Sequence, residues 1–167
     1  MKITLVATLI VIGAGLCYPQ AGEELTGKRA ANFSLEDIEG NIVELNTMVG
    51  RGPILITFWA TWCKPCLEEM VEYNKIYEEF AQKGFVLLAI STDNERSVAK
   101  VKPFVRSRNY SFPILLDINS DVARKYYAQV DPYSVLIDKK GNVVYTHFGY
   151  ARGDEQIVRR KIEEMVQ

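Results

Sequence analysis

Residues 53–60 read Pro-Ile-Leu-Ile-Thr-Phe-Trp-Ala, a near-continuous apolar run, and two cysteines follow at once in Trp62-Cys63-Lys64-Pro65-Cys66. A run of this length and bulk suits a central strand covered on both faces. Beyond it, Leu67, Met70, Val71, Asn74, Tyr77 and Phe80 recur at three- and four-residue steps. That spacing predicts a helix from Lys64 to Lys83, stopped by Gly84. The cysteine pair therefore falls where a buried strand ends and a helix begins, which is where open α/β sheets collect their functional groups.

The flanking segments repeat the alternation. Phe33-Ser34-Leu35 and Ile42-Val43-Glu44-Leu45 read as short strands about the turn Glu39-Gly40-Asn41, after a polar lead-in from Ala21 to Ala31. Phe85 to Ile90 is a second buried strand, and Asp93 or Asn94 could cap a helix running to about Arg108. Ile114 to Leu116 is a short strand, Ser120 to Tyr127 a short helix, and Asp93 and Asp117 are expected to end strands or cap helices. Tyr133 to Asp138 and Val143 to Phe148 form a hairpin across Lys139-Lys140-Gly141-Asn142, and Gly153 to Val166 is an amphipathic helix. Strands alternating with helices, then a hairpin, imply an α/β sandwich with a mixed sheet.

The first segment differs from the rest. Lys2 precedes an apolar stretch from Ile3 to Cys17 with small residues toward its end, the pattern of a secretory signal peptide. The stretch is shorter than the ~20 residues a spanning helix wants, although an uncleaved anchor stays open. Cys17 also raises a lipid-anchored reading, against which stands the bulky Leu16. The expected division is residues 1–22 as signal or anchor and 23–167 as one domain. Export implies an oxidising compartment. With 20 basic and 21 acidic residues the charge is −1, which gives no footprint for nucleic acid.

Without the leader two cysteines remain, Cys63 and Cys66. A bridge between residues three apart closes a very small loop and stabilises little through chain entropy, so the pair reads as chemistry rather than a staple. A nucleophilic cysteine must be a thiolate, and a free thiol with pKa ~8.5 is mostly protonated at neutral pH. The start of a helix offers unpaired N–H groups and partial positive charge, and Lys64 adds more. Cys63 is thus expected to attack and Cys66, one turn further in, to resolve the mixed disulfide. Trp62 is expected to shield one side of Cys63, and Pro65 is acceptable so early in a helix. A four-ligand zinc site cannot be completed from one Cys-x-x-Cys and a single histidine, His147. Leu67 stands where c-type haem attachment needs histidine. No cofactor or metal is called for.

The segment Phe58-Trp59-Ala60-Thr61-Trp62-Cys63-Lys64-Pro65-Cys66 resembles the active-site region of thioredoxins, and more closely their TlpA/ResA-like exported branch. Phe112 to Asp117, Leu136 to Gly141 and the hairpin around Gly40-Asn41 are similar to later and earlier motifs of that branch, so the likeness runs from Ala31 to about Gly149. It implies a thioredoxin fold with an added N-terminal β-hairpin and an inserted helix. It implies that Pro132 is a cis-proline beside the dithiol that helps present substrate, with Trp62 matching the family tryptophan there, and that Glu69 exchanges protons with Cys66. Trp62 and Asp131 are expected to contact substrate beside Pro132, the Asp131 carboxylate selecting cationic partners or raising the Cys63 thiol. Glu69 has a plain alternative as a solvated helix charge beside Glu68. The implied partners are exported proteins bearing disulfides and a membrane-embedded thiol electron donor, and cytochrome c maturation is a role known in the branch.

Four departures matter. Thr57 stands where cytoplasmic thioredoxins have a buried aspartate, Asp131 where an uncharged residue is usual, Val71 replaces a frequent proline and Tyr133 a frequent threonine. The expected activity is thiol–disulfide exchange outside the cytoplasm, more in the reducing direction. Two alternatives stay open. One is a peroxiredoxin-like peroxidase, whose Thr-x-x-Cys setting is absent because Thr61 lies two residues before Cys63. The other is a copper-binding module using His147, which a plain strand histidine opposes.

Overall fold

The computed structural model describes residues 25–167. The segment expected to be a signal or anchor, Cys17 included, lies outside them. Among the described residues, seven strands form one sheet: β1 (Ser34–Asp37), β2 (Ile42–Glu44), β3 (Ile54–Trp59), β4 (Val86–Ser91), β5 (Ile114–Leu116), β6 (Tyr133–Ile137) and β7 (Val143–Phe148). Helices α1 (Lys64–Phe80), α2 (Val101–Arg108), α3 (Asp121–Lys125) and α4 (Glu155–Met165) connect and cover them. The strand order is β2-β1-β5-β4-β3-β6-β7. β3, β4 and β5 run parallel, β6 pairs antiparallel to β3, and β7 antiparallel to β6. The β1–β2 hairpin joins antiparallel to β5. This is a thioredoxin-like mixed sheet with an extra N-terminal hairpin, the fold class the sequence implied.

β3 is buried along its whole length, and its alternation divides the core in two. Leu55 and Trp59 face a cluster built from α1, α2 and α4, with Met70, Tyr73, Val101 and Val158. Ile54, Ile56 and Phe58 face the opposite cluster, with Val122 and Tyr126 of α3 and Phe33. In β6, Leu136 joins the first cluster while Val135 and Ile137 join the second. Successive side chains of a strand point to opposite faces, so Thr57 and Ser134 must face α1.

Two expectations need correction. The buried stripe of α1 is Cys66, Glu69, Met70, Tyr73, Ile76 and Phe80, whereas Val71 is exposed and Leu67, Asn74 and Tyr77 are only half-buried. The stripe is rotated about the helix because the cysteine at its head, rather than Leu67, turns inward. The helix expected from Asp93 or Asn94 begins as an α-helix only at Val101, after a 3-10 turn at Val98–Lys100. Pro103 explains the delay: a helix begun at Asn94 would hold it in the interior, where its ring clashes with the preceding turn, and here it sits in the first turn. The end of the polar lead-in is held to the β6–β7 turn and β7: Gly27 N–H donates to Val143 O and Ala30 N–H to Gly141 O, at 2.8 and 2.9 Å.

One close backbone approach constrains the entry to β3. A Cβ on Gly52 would lie 2.2 Å from the carbonyl oxygen of Gly84, the left-handed residue that ends the 3-10 turn after α1. Neither atom can move without displacing β3 against β4. Gly52→Ala should therefore destabilise the protein by about 1–3 kcal/mol, read as a lowered denaturant midpoint with an unchanged slope.

Candidate active site

Cys63 is the N-cap residue of α1, and Cys66 lies in its first turn, with Pro65 at a first-turn position where no amide is needed. The two sulfurs are joined in a disulfide, and the Cys66 amide donates to Cys63 Sγ at 3.3 Å. Cys63 is 5% exposed and Cys66 fully buried. The turn before them closes through Cys63 N–H to Ala60 O at 3.1 Å. Trp62 is 71% exposed, so it stands out into solvent rather than folding over the disulfide.

Beneath the disulfide lies a buried carboxyl. Glu69 is 1% exposed, while its neighbour Glu68 is exposed. Thr57 Oγ1 donates to Glu69 Oε2 at 3.0 Å, and Ser134 Oγ approaches Oε1 at 3.5 Å. Tyr73 OH donates to Ser134 Oγ at 3.1 Å. Thr57 and Ser134 are direct partners in the β3–β6 register, which puts their hydroxyls side by side under α1. No cation is among these partners, so burial dominates and raises the Glu69 carboxyl from 4.5 to about 7, against the lowering effect of the hydroxyl donors. Thr57 and Glu69 were separately legible in the sequence. Ser134 and Tyr73 were not, because only the strand register and the rotated face of α1 bring them in.

On the other side of the site, the Asp131–Pro132 peptide is cis, directly before β6. Since Tyr133 pairs with Phe58, the register sets Pro132 beside the end of β3 and the loop that bears the cysteines. Thr92 Oγ1 donates to Asp131 Oδ2 at 2.6 Å. Burial raises the Asp131 carboxyl, the Thr92 bond opposes this, and Asp93 adds to it. Trp62, Thr92, Arg124, Gln129, Val130 and Asp131 line one shallow groove of about 390 Å³. Trp62 and Val130, at 71% and 64% exposed, make its rim apolar.

Asp117 caps α3 from before it, accepting from the amides of Val122 and Ala123 at 3.2 and 2.8 Å. Asp93 does not cap a helix; its carboxylate turns back to Thr61. His147 lies half-buried on β7 with its ring nitrogen 3.1 Å from Asp154. Among the described residues, no group of three or more His, Cys, Asp or Glu is arranged to hold a metal.

Sheet, helix-start disulfide and adjacent cis-proline together define a thioredoxin-like dithiol protein. The chain belongs to the AhpC/TSA family, whose model matches residues 26–146, and it is similar there to the ResA-type thiol-disulfide oxidoreductases. It is 36% identical over 141 residues to the thiol-disulfide oxidoreductase ResA of Bacillus thuringiensis strain Al Hakam, covering 84% of this chain and 74% of that one. Against ResA of Bacillus thuringiensis subsp. konkukian it is 39% identical over 118 residues, 71% of this chain. That match spans 66% of the relative's length, just under two thirds. Among solved structures, a protein assigned as the thiol:disulfide interchange protein DsbE of Chlorobium tepidum superposes with a TM-score of 0.78 at 26% identity, covering 85% of this chain and 98% of that one. The exposed lipoprotein thioredoxin of Streptococcus pneumoniae superposes with a TM-score of 0.69 at 25% identity, covering 80% and 99%.

The Glu69 environment has a consequence for stability. Its native value, about 7, lies above its ordinary 4.5, so neutral burial stabilises fully below about 4.5 and that stabilisation is lost as pH rises through about 7. Glu69→Gln keeps the shape without the titration. The variant should match wild type near about pH 5 and exceed it by up to about 3 kcal/mol near about pH 8, measured by chemical denaturation of the oxidised proteins.

Proposed function

We propose that the chain is an extracytoplasmic thiol–disulfide oxidoreductase that reduces disulfides of exported proteins through Cys63 and Cys66. The observation that carries this is the vertical order at the head of α1: the more accessible Cys63 at the N-cap, the buried Cys66 below it, and the buried Glu69 carboxyl one turn further on the same face. The ResA and DsbE names of its relatives support the activity, and the Lys2-to-Cys17 segment supports the location.

In the reduced protein, the partial positive charge at the start of α1 favours a Cys63 thiolate. That thiolate attacks one sulfur of a client disulfide; the client's other sulfur leaves as a thiolate and takes a proton. Cys66 then loses its proton and attacks Cys63 Sγ, which forms the Cys63–Cys66 bond and releases the second client sulfur as a thiolate. A thiol buried like Cys66 resists ionisation, and Glu69 is the buried base at hand. Its raised value, about 7, suits it to take and return a proton near neutral pH. The groove lined by Trp62 and Asp131, with Pro132 next in the chain, receives the client segment that flanks its cysteine. A membrane-embedded thiol donor restores the dithiol.

Replacing Cys66 with Ser should trap mixed disulfides through Cys63; trapping by the Cys63→Ser protein instead reverses the roles. Glu69→Gln should slow resolution by roughly tenfold or more while sparing the first attack, and Glu68→Gln should do little. Stopped-flow kinetics on a mixed-disulfide peptide separate the two steps. Peroxide turnover without insulin reduction would instead favour a peroxidase.

A further inference from the structure

The end of β4 holds both walls of the site, although none of its residues adjoins the cysteines in sequence. Asp93 is 1% exposed, and its carboxylate accepts three bonds: from Thr61 N–H at 2.8 Å, from Thr61 Oγ1 at 2.7 Å and from Ser91 Oγ at 3.0 Å. All three donors are neutral. A carboxylate buried at this depth is costly unless it is fully bonded, so its partners are fixed in place as firmly as it is. Thr61 lies within the Ala60–Cys63 turn that delivers Cys63 to the N-cap. The next residue back, Thr92, donates its amide to Trp59 O at 2.8 Å and its hydroxyl to Asp131 Oδ2 at 2.6 Å. Two consecutive residues therefore tie down the two segments that must meet across a client disulfide.

We propose that Thr92 and Asp93 are positioning residues of the active site: Asp93, through Thr61, sets the cysteine turn, and Thr92, through Asp131, sets the client-binding loop. This rests on the reading of Cys63 as the attacking thiol. The amide of Cys66 reaches Cys63 Sγ only while the Ala60–Cys63 turn holds its shape, so loss of the Thr61 bonds takes the sulfur away from the helix start. A displacement of order 1 Å at a reacting atom can cost ~10²-fold in rate. Position and charge predict opposite signs. Removing a nearby negative charge would favour the Cys63 thiolate, whereas releasing the turn would disfavour it.

The test compares Asp93→Ala, Asp93→Asn, Thr61→Val, Thr61→Ser and Thr92→Val. Insulin reduction gives kcat and KM, and the pH midpoint of iodoacetamide alkylation, followed on the Cys63 peptide by mass spectrometry in a Cys66→Ser background, gives thiolate stability. Asp93→Ala and Thr61→Val should lower kcat/KM about tenfold and move the midpoint up by about half a pH unit. Asp93→Asn can still accept from the Thr61 amide and donate to its hydroxyl, and Thr61→Ser keeps both bonds, so these two should stay near wild type. Thr92→Val should raise KM and leave the midpoint unmoved. A midpoint that falls in both Asp93 variants would show that the charge acts and overturn the positioning role, as would a Thr61→Val protein equal to wild type. If Asp93→Ala does not fold, the two Thr61 variants decide. A wild-type protein that fails to reduce insulin would sink the proposed function instead, and the alkylation midpoints would still judge the clamp.

Discussion

The hydrogen bonding of β3 on both edges is what the rest of the molecule depends on. It runs parallel to β4 on one side and antiparallel to β6 on the other, with both faces covered. A strand so enclosed cannot slip by one residue without sending every side chain to the wrong face. Its register therefore decides more than the core. It sets Thr57 opposite Ser134 beneath α1, brings Pro132 alongside the exit to the cysteines, and leaves Trp59 O to accept the amide of Thr92.

Much of this was legible in the sequence because the strongest signals are local. The apolar run at Pro53–Ala60 and the glycine after Lys83 announced β3 and the end of α1, and Ile114–Leu116 and Val143–Phe148 stand with the bounds their patterns suggested. The late start of α2 follows from Pro103, a local constraint, while the other differences come from contacts that sequence spacing does not reveal. The α1 stripe was misplaced because Leu67, Val71 and Asn74 look apolar or small enough to turn inward, whereas tertiary packing selected the face of Cys66 and Glu69. Asp93 looked like a cap because an aspartate after a strand often is one, yet its partner is Thr61, 32 residues away. At the site, Cys63, Cys66 and Pro132 were readable from motif alone. Ser134, Tyr73 and Thr92 were not, since a serine, a tyrosine or a threonine in a strand or helix carries no signal of what it faces.

The interior also shows a division between two kinds of buried carboxylate. Asp93 accepts three well-directed bonds, one of them from a backbone amide. Glu69 meets hydroxyls only, one of them at 3.5 Å, and its carboxyl is pushed up to about 7. The bonds to Asp93 tie it to the cysteine turn and make it scaffold, whereas Glu69 is bonded by hydroxyls alone and burial raises its carboxyl. The two acids thus differ in what surrounds them: a backbone amide and two hydroxyls for Asp93, hydroxyls alone for Glu69.

The paired hydroxyls of Thr57 and Ser134 suggest a way to think about the missing strand aspartate. Cytoplasmic thioredoxins carry the acid on the strand; here the strand supplies a hydroxyl at Thr57 and the acid comes from the helix onto it. Strand and helix thus divide the work: β3 and β6 hold two hydroxyls in register, and α1 brings the acid to them. A comparison of such proteins by aligned columns would score an acid lost in one place and an unrelated one gained in another. In space, the Thr57 position still has a carboxyl beside it, for the hydroxyl of Thr57 lies 3.0 Å from Glu69 Oε2.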